Sequence, residues 1–182
     1  ALSLVECEIP DLVDLSHARL ARVSFDGSRM SRLVAIEAEI EGELNLCNVA
    51  PFETPGRETL TAKLRGMRVD GDVLARDAKF ARAADSDDDA LMLQGAEIKG
   101  NLLLDGAFDA LGCIWLMNAN IEGGFACEGA TILNRSEDAS GQAINADGAQ
   151  FGSVLLRKVK IEGEVRFCGA RIARDLDVSD NA

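Results

Sequence analysis

The residues that could carry out chemistry in this chain are few and scattered. His17 is the single histidine, tyrosine is absent, and the five cysteines include no Cys-x-x-Cys pair. A histidine-rich metal site or a Ser-His-Asp arrangement therefore lacks the necessary partners. The segment GGFACEG at 123–129 has neither the glycine spacing nor the following helix of a dinucleotide site. We expect no catalytic residue, no metal site and no cofactor.

Cysteine usage indicates the compartment in which the chain works. An odd number of unpaired cysteines favours reduced thiols and hence the cytoplasm, with a place at the periphery of a membrane left open. No apolar run approaches the length of a membrane span, and the start ALSLVECEIP has no signal-peptide pattern. Cys127 is predicted to lie in the core, whereas Cys47, Cys113 and Cys168 fall near bends, where a thiol could be reactive.

The elements that must position any site follow a five-residue rhythm. Residues 13–42 read VDLSH, ARLAR, VSFDG, SRMSR, LVAIE and AEIEG, with an apolar or small residue at the first and third places of each unit. Because residues two apart in extended backbone point to the same side, each unit turns two side chains inward before the chain bends. Four bends close one coil. The rhythm therefore predicts an all-β, four-sided parallel β-helix with about 20 core residues per coil, as from Ala18 to Ala38.

The same rhythm assigns starting residues to the four sides of every coil. The first sides are predicted to start at Ala18, Ala38, Met67, Ala96, Ala119, Ala149 and Ala170. The second sides are predicted to start at Val23, Leu44, Val73, Leu102, Phe125, Val154 and Leu176. The third sides are predicted to start at Ser28, Val49, Ala78, Ala107, Ala130 and Val159. The fourth sides are predicted to start at Leu33, Ala62, Leu91, Ile114, Ile144 and Val165.

Two kinds of bend depart from the five-residue step. Between the first and second sides an additional residue accompanies Gly42, Gly71, Gly100 or Gly123, and we expect these glycines to supply a positive φ. Between the third and fourth sides, insertions are predicted at about residues 52–61, 81–90, 110–113 and 133–143. Because stacked strands lie about 4.8 Å apart, insertions from one corner must lie side by side along one edge.

These residues resemble the pentapeptide-repeat proteins. The resemblance is strict over residues 13–42 and continues as a looser pattern, AxIxGxLxL, as in AEIKGNLLL at 96–104. It implies that the four-sided β-helix is right-handed. We treat residues 1–182 as a single β-helix domain, which is either part of a longer chain or an open-ended solenoid that could form a homodimer through its last coil.

Charge argues against direct binding of nucleic acid. The net charge is −12, and RKVK at 157–160 is the sole short basic cluster, whereas phosphate contacts require a basic stripe. An outward acidic patch is predicted on the early coils, formed by Glu39, Glu41, Glu43, Asp70 and Asp72. Some proteins of the resembled family are thought to mimic DNA when they bind topoisomerases, so an acidic inhibitor is one reading of this patch. Ordinary solubility is the other.

Two further features could contact a partner. The second insertion carries Asp85, Asp87, Asp88 and Asp89, which lack the spacing of a calcium loop and read as an acidic tip. Met92 and Trp115 occupy the same outward place on neighbouring coils and form either an exposed contact patch or a pair covered by a loop.

Together these observations predict a non-catalytic binding or scaffolding module whose protein partner contacts the insertion-bearing edge and the patch of Met92 and Trp115. The alternative is an acidic DNA mimic that inhibits a topoisomerase. A third reading is a part of a protein labelled a membrane-associated oxidoreductase, a label that proteins with this loose repeat sometimes carry. No residue of this chain supplies the redox chemistry that such a label would require.

Overall fold

The computed structural model describes residues 1–52, 59–82, 89–134 and 141–180, and all regular structure in these ranges is β-strand. The 25 strands, in chain order, are β1 (Leu2–Ser3), β2 (Glu8–Asp14), β3 (Arg19–Leu20), β4 (Val23–Ser24), β5 (Arg29–Val34), β6 (Glu39–Ile40), β7 (Leu44–Asn45), β8 (Ala50–Pro51), β9 (Thr61–Lys63), β10 (Arg68–Val69), β11 (Val73–Leu74), β12 (Lys79–Ala81), β13 (Leu91–Met92), β14 (Glu97–Ile98), β15 (Leu102–Leu103), β16 (Asp109–Leu111), β17 (Ile114–Trp115), β18 (Asn120–Ala126), β19 (Thr131–Leu133), β20 (Gln142–Asn145), β21 (Gln150–Leu155), β22 (Lys160–Glu162), β23 (Glu164–Arg166), β24 (Arg171–Ile172) and β25 (Leu176–Asp177).

The strands form three sheets in which neighbours along the sheet are far apart in sequence. The largest sheet has 13 strands, and its main path runs β1-β4-β7-β11-β15-β18-β14-β10-β6-β3. The long strand β18 therefore belongs to both halves of this path, and β21 pairs with β18, β24 and β25. The second sheet contains β12-β16-β19-β22, and the third contains β2-β5-β9-β13-β17-β20-β23 with β8 beside β5. All pairings between these strands are parallel. The chain is therefore all-strand, with parallel sheets that nearly close on themselves, and this arrangement is compatible with the predicted parallel β-helix.

Residue pairing aligns the strands in four ladders, and the Lys79 amide, which donates to the Val49 carbonyl at 2.8 Å, connects the two parts of the third ladder. The first ladder is Arg19, Glu39, Arg68, Glu97, Asn120, Gln150 and Arg171. The second ladder is Val23, Leu44, Val73, Leu102, Phe125, Val154 and Leu176. The third ladder is Glu8, Arg29, Ala50, Lys79, Asp109, Thr131 and Lys160. The fourth ladder is Val13, Leu33, Ala62, Leu91, Ile114, Ile144 and Val165. The predicted second and fourth alignments are confirmed residue by residue.

The core consists of the inward side chains of these ladders. Along each strand the buried positions alternate, as for Val23 and Phe25 on the second ladder, both 0% exposed. Burial of such aliphatic and aromatic side chains is the main favourable term for the fold. The polar exception is Ser28, which is also fully buried: its hydroxyl donates to the Leu4 carbonyl at 2.6 Å and accepts from the Cys7 amide at 3.0 Å. Both of its hydrogen-bonding roles are therefore satisfied.

The prediction for the third side of one coil is wrong by one residue. Ala107 and Asp109 were expected to point inward, but Phe108 and Ala110 are the buried residues, at 1% and 0% exposure, and Ala107 is exposed. The preceding bend is one residue longer than expected. Burial of a phenylalanine ring against Phe80, with ring centroids 5.9 Å apart, stabilises this register far more than burial of an alanine methyl would.

The role expected for the glycines between the first and second ladders is also wrong. Gly42, Gly71, Gly100 and Gly123 do not have a positive φ. They stack on one another instead: a Cβ at Gly71 would lie 2.7 Å from the Gly42 carbonyl oxygen, and one at Gly123 would lie 2.5 Å from that of Gly100. Glycine is needed here because successive backbones approach closely, and any side chain would separate them.

Positive φ is concentrated at two other columns of bends, and Gly112, Gly141 and Gly163 adopt it outside these columns. One column consists of His17, Glu37, Gly66, Gly95, Asn118, Gly148 and Gly169. The other consists of Glu6, Gly27, Asn48, Asp77, Gly106, Gly129, Lys158 and Asp180. Glycine, asparagine and aspartate adopt this conformation most readily, but glutamate, histidine and lysine also adopt it here.

Candidate binding edge

The long connections of the chain all leave between the same two ladders. They are residues 52–60 between β8 and β9, residues 82–90 between β12 and β13, and residues 134–141 between β19 and β20. In each case the chain leaves a third-ladder strand and re-enters on the fourth ladder. We call the residues at the two ends of each connection its root. The three roots, together with the neighbouring segment from Leu111 to Trp115, are named the insertion edge.

The third of the four predicted insertions, residues 110–113, is not an insertion. Ala110 and Leu111 belong to β16, and only Gly112 and Cys113 separate that strand from β17. The difference follows from the register of Phe108, since moving the third side forward by one residue shortens the step to Ile114 from seven residues to six. Leu111 points outward at this place and is 47% exposed.

Asp89 faces the body of the protein. Its carboxylate accepts a hydrogen bond from the Cys113 amide at 2.9 Å and another from the Trp115 indole Nε1 at 2.6 Å. Arg82 lies at the other end of the same connection, with its Nη1 4.0 Å from Asp89 Oδ1. The Asp89 side chain is only 15% exposed, so it does not form part of an exposed acidic tip. Asp85, Asp87 and Asp88 lie outside the described residues.

Met92 and Trp115 are neighbours on the fourth ladder, as predicted. Met92 is 1% exposed and Trp115 is half-buried. The Arg65 guanidinium donates to Met92 Sδ at 3.6 Å. Met92 therefore offers almost no surface although it occupies an outward place. Of the two alternatives, an exposed contact patch or a covered pair, the structure shows Met92 covered.

A network of amide side chains lies at the root of the third connection. Asn134 Nδ2 donates to the Gln142 carbonyl at 2.7 Å, and Asn145 Nδ2 donates to Gln142 Oε1 at 2.8 Å. All three side chains are buried. The network joins the two ends of the connection, as Arg82 and Asp89 do for the second. Sequence reasoning missed it; the one available signal was that Asn145 follows Trp115 in the outward places of the fourth ladder.

The predicted acidic patch on the first ladder is interleaved with basic residues. Arg19 Nε lies 2.8 Å from Glu39 Oε2, Arg68 Nε lies 3.1 Å from Glu97 Oε2, and Lys99 Nζ lies 2.7 Å from Asp70 Oδ1. Cross-strand pairs of opposite charge at such exposed positions stabilise the sheet only slightly.

The remaining acidic residues of the patch differ in their surroundings. Asp72 is half-buried, and its Oδ1 accepts from the Asn101 amide at 2.7 Å and from Asn101 Nδ2 at 2.9 Å. Glu41 is exposed and Glu43 is half-buried. The first ladder thus carries both signs of charge at short intervals, and Asp72 acts as a hydrogen-bond acceptor between coils.

The cysteines differ strongly in accessibility. Burial raises the pKa of the Cys113 and Cys127 thiols, and both side chains are 0% exposed. Cys113 was expected to be able to react because it lies near a bend, but its thiol points into the protein. Burial also raises the pKa of the half-buried Cys47. Cys168 is exposed, and all five thiols are unpaired.

The part of the chain that the structure describes contains neither a metal-binding cluster nor a helix that could span a membrane. Within residues 1–52, 59–82, 89–134 and 141–180, no group of three or more histidine, cysteine, aspartate or glutamate side chains could hold a metal ion. None of these described ranges contains a helix of the length and hydrophobicity that would cross a bilayer. Comparison of the chain with profiles of protein families, with curated proteins and with solved structures finds no match.

Proposed function

We propose that the chain is a four-sided, right-handed parallel β-helix of the pentapeptide-repeat kind, and that it works as a non-catalytic binding or scaffolding module whose protein partner contacts the insertion edge. The observation that carries the proposal is the common origin of the long connections. β9, β13, β17 and β20 are successive neighbours in one sheet, so the three roots lie within about 15 Å of one another at the usual strand spacing.

A solenoid with loops on one edge is suited to binding. Its strands form a rigid support, and extra chain that leaves each coil at the same place forms a continuous surface. The roots of the second and third connections are held by polar contacts, the half-buried pair of Arg82 with Asp89 and the buried pair of Asn134 with Gln142. A surface whose supports are fixed in advance loses less conformational entropy when a partner binds.

The charge of this edge favours a partner with a basic surface. The second connection contains Asp85, Asp87 and Asp88, and the chain as a whole carries a net charge of −12. Opposite charges would speed association, and the binding would weaken as salt rises. The alternative, mimicry of DNA, calls for a regular run of like charge. The Arg19–Glu39 and Arg68–Glu97 pairs interrupt such a run on the first ladder.

Capture of binding proteins with matched variants tests the proposal. In the edge variant, residues 53–58 and 83–88 are replaced by glycine-serine segments of the same length, which leaves Leu60, Ala81 and Asp89 in place. The control variant carries Asp70→Asn and Glu97→Gln on the first ladder. We expect the intact chain and the control to capture the same basic protein and the edge variant to lose it, with unchanged circular dichroism.

Equal capture by the edge variant would contradict the proposal. A supercoiling assay with a topoisomerase at two salt concentrations tests the alternative function, mimicry of DNA. Inhibition that weakens as salt rises would support mimicry of DNA, and absence of inhibition would argue against it.

A further inference from the structure

The Asp89 carboxylate joins three parts of the insertion edge that are distant in sequence. It closes the connection on which it lies through Arg82, whose Nη1 is 4.0 Å away. Its two oxygens accept from different donors on the next coil, Oδ1 from the Cys113 amide and Oδ2 from the Trp115 indole. The carboxylate thus fixes where the second connection returns to the solenoid and how the indole is oriented.

The surroundings of Asp89 show a site shaped for this side chain. A Cβ at Gly112 would lie 3.0 Å from Asp89 Oδ1 and 3.2 Å from the Ala90 amide nitrogen, so glycine leaves the space that the carboxylate occupies. The Arg82 and Asp89 side chains are 24% and 15% exposed. Hydrogen bonds from a buried amide and an indole to an ionised group are stronger than neutral ones, and an unpaired donor would be costly here.

The backbone at the start of the second connection, where the chain leaves β12, is bound to the coil that carries Cys113 and Trp115. The Arg82 amide donates to the Leu111 carbonyl at 3.0 Å, and Ala81 and Leu60 exchange two hydrogen bonds of 2.9 Å. Both ends of the second connection are therefore fastened to the segment from Leu111 to Trp115, and Asp89 is the only side chain among those described here that reaches its backbone and its indole together.

We infer that Asp89 is a positioning residue of the insertion edge: it holds the root of the second connection and the Trp115 indole in the arrangement that a partner recognises. This inference rests on the proposed function. Its role is separate from that of the hydrophobic core, because Asp89 does not belong to the cluster of buried apolar side chains.

The first test needs no partner. Asp89→Asn keeps the size of the side chain but turns an NH2 group toward one of the two donors, so at least one hydrogen bond is lost. Trp115 is the single tryptophan, so its fluorescence reports on this site alone. We expect the emission of Asp89→Asn to shift to longer wavelength, acrylamide to quench it more readily, and the Cys113 amide to exchange its proton roughly tenfold faster or more. Asp70→Asn, the same change on the first ladder, should alter none of these.

The second test uses the protein captured by the intact chain. We expect Asp89→Asn to bind it about tenfold more weakly or worse, and Trp115→Phe, which lacks the indole donor, to weaken it as well. The double variant should lose little more than either single variant, since both remove the same contact.

The outcomes separate the inference from the proposed function. Unchanged fluorescence and unchanged exchange in Asp89→Asn would overturn the inference without any binding measurement. Altered fluorescence with undiminished capture would also overturn it, because Asp89 would then support the edge without mattering to the partner. Undiminished capture by the edge variant would instead refute the proposed function itself.

Discussion

The stacked glycines between the first and second ladders make a quantitative prediction. In Gly71→Ala the new methyl would lie 2.7 Å from the Gly42 carbonyl oxygen and 2.9 Å from its carbon, and both are backbone atoms that cannot move aside. Overpacking of this kind costs about 1 to 3 kcal/mol, and the reduced entropy of the unfolded chain offsets about 0.4 to 1 kcal/mol of that. Because the Gly71 amide also donates to the Gly42 carbonyl at 2.9 Å, we expect a net loss near the upper end, about 2 kcal/mol.

Gly95 is the matched control because glycine is favoured there by a positive φ and not by the close approach of another backbone. Its φ is +68°, and an added Cβ would meet nothing within 4 Å. Alanine there is expected to cost about 1 kcal/mol or less, since the strain of the left-handed region is partly offset in the unfolded state. Asparagine should cost almost nothing at Gly95, because Asn118 occupies the same column at a φ of 56°, but should be worse than alanine at Gly71.

Urea unfolding followed by circular dichroism measures both effects as shifts of the midpoint at constant slope. The expected order of stability is wild type, then Gly95→Asn, then Gly95→Ala, then Gly71→Ala, with Gly71→Asn last. If Gly71→Asn were tolerated as well as Gly95→Asn, the close approach of the two backbones would be refuted. The positive φ first expected from the sequence would then be the better explanation.

Three further predictions concern the register, the thiols and the effect of pH. Phe108→Ala should lose about 3 to 5 kcal/mol in urea unfolding while Ala107→Ser changes stability by less than about 0.5 kcal/mol, and the reverse order would mean that the register is wrong. In native protein, iodoacetamide should label Cys168 readily and Cys113 only after denaturation; early labelling of Cys113 would contradict its burial. Arg166 Nη2 donates to Asp147 Oδ2 at 2.7 Å, and this hydrogen bond lowers the pKa of the Asp147 carboxyl below 3.8. The stabilisation by Asp147 is therefore present above pH 3.8 and is lost as the pH falls through the pKa of the folded state. Asp147→Asn should therefore be less stable than wild type at pH 7 with a gap that narrows in acid, and a gap independent of pH would refute this linkage.

Most of the fold was predictable because its signal is repeated in every coil. Alternation of inward and outward side chains has a period of two, so a register error of one residue would point every inward side chain of that strand outward. Such an error is readily seen in the sequence pattern. This is why the ladder from Leu44 to Leu102 and Phe125 could be aligned across long insertions. The error at Ala107 arose where alanine and phenylalanine both fit the pattern. Only packing against Phe80 decides between them.

The candidate site was less predictable because its contacts are not repeated. Asp89 belongs by composition to an acidic run, and nothing in its spacing indicates that it reaches the Trp115 indole on the next coil. Likewise, the network of Asn134, Gln142 and Asn145 depends on which outward places are covered, and covering depends on long connections rather than on the rhythm. Outward places of a solenoid are expected to be solvated, so their burial at one edge can only be found in three dimensions.

Hydrogen exchange of the intact chain, alone and bound to a captured partner, tests most directly whether the insertion edge is the contact surface. We expect the partner to slow exchange at the edge, at the amides of Ala90, Gly112 and Cys113 above all, and to leave those of Arg68 and Glu97 on the first ladder unchanged. Slower exchange confined to the first ladder, with the edge unaffected, would contradict the account.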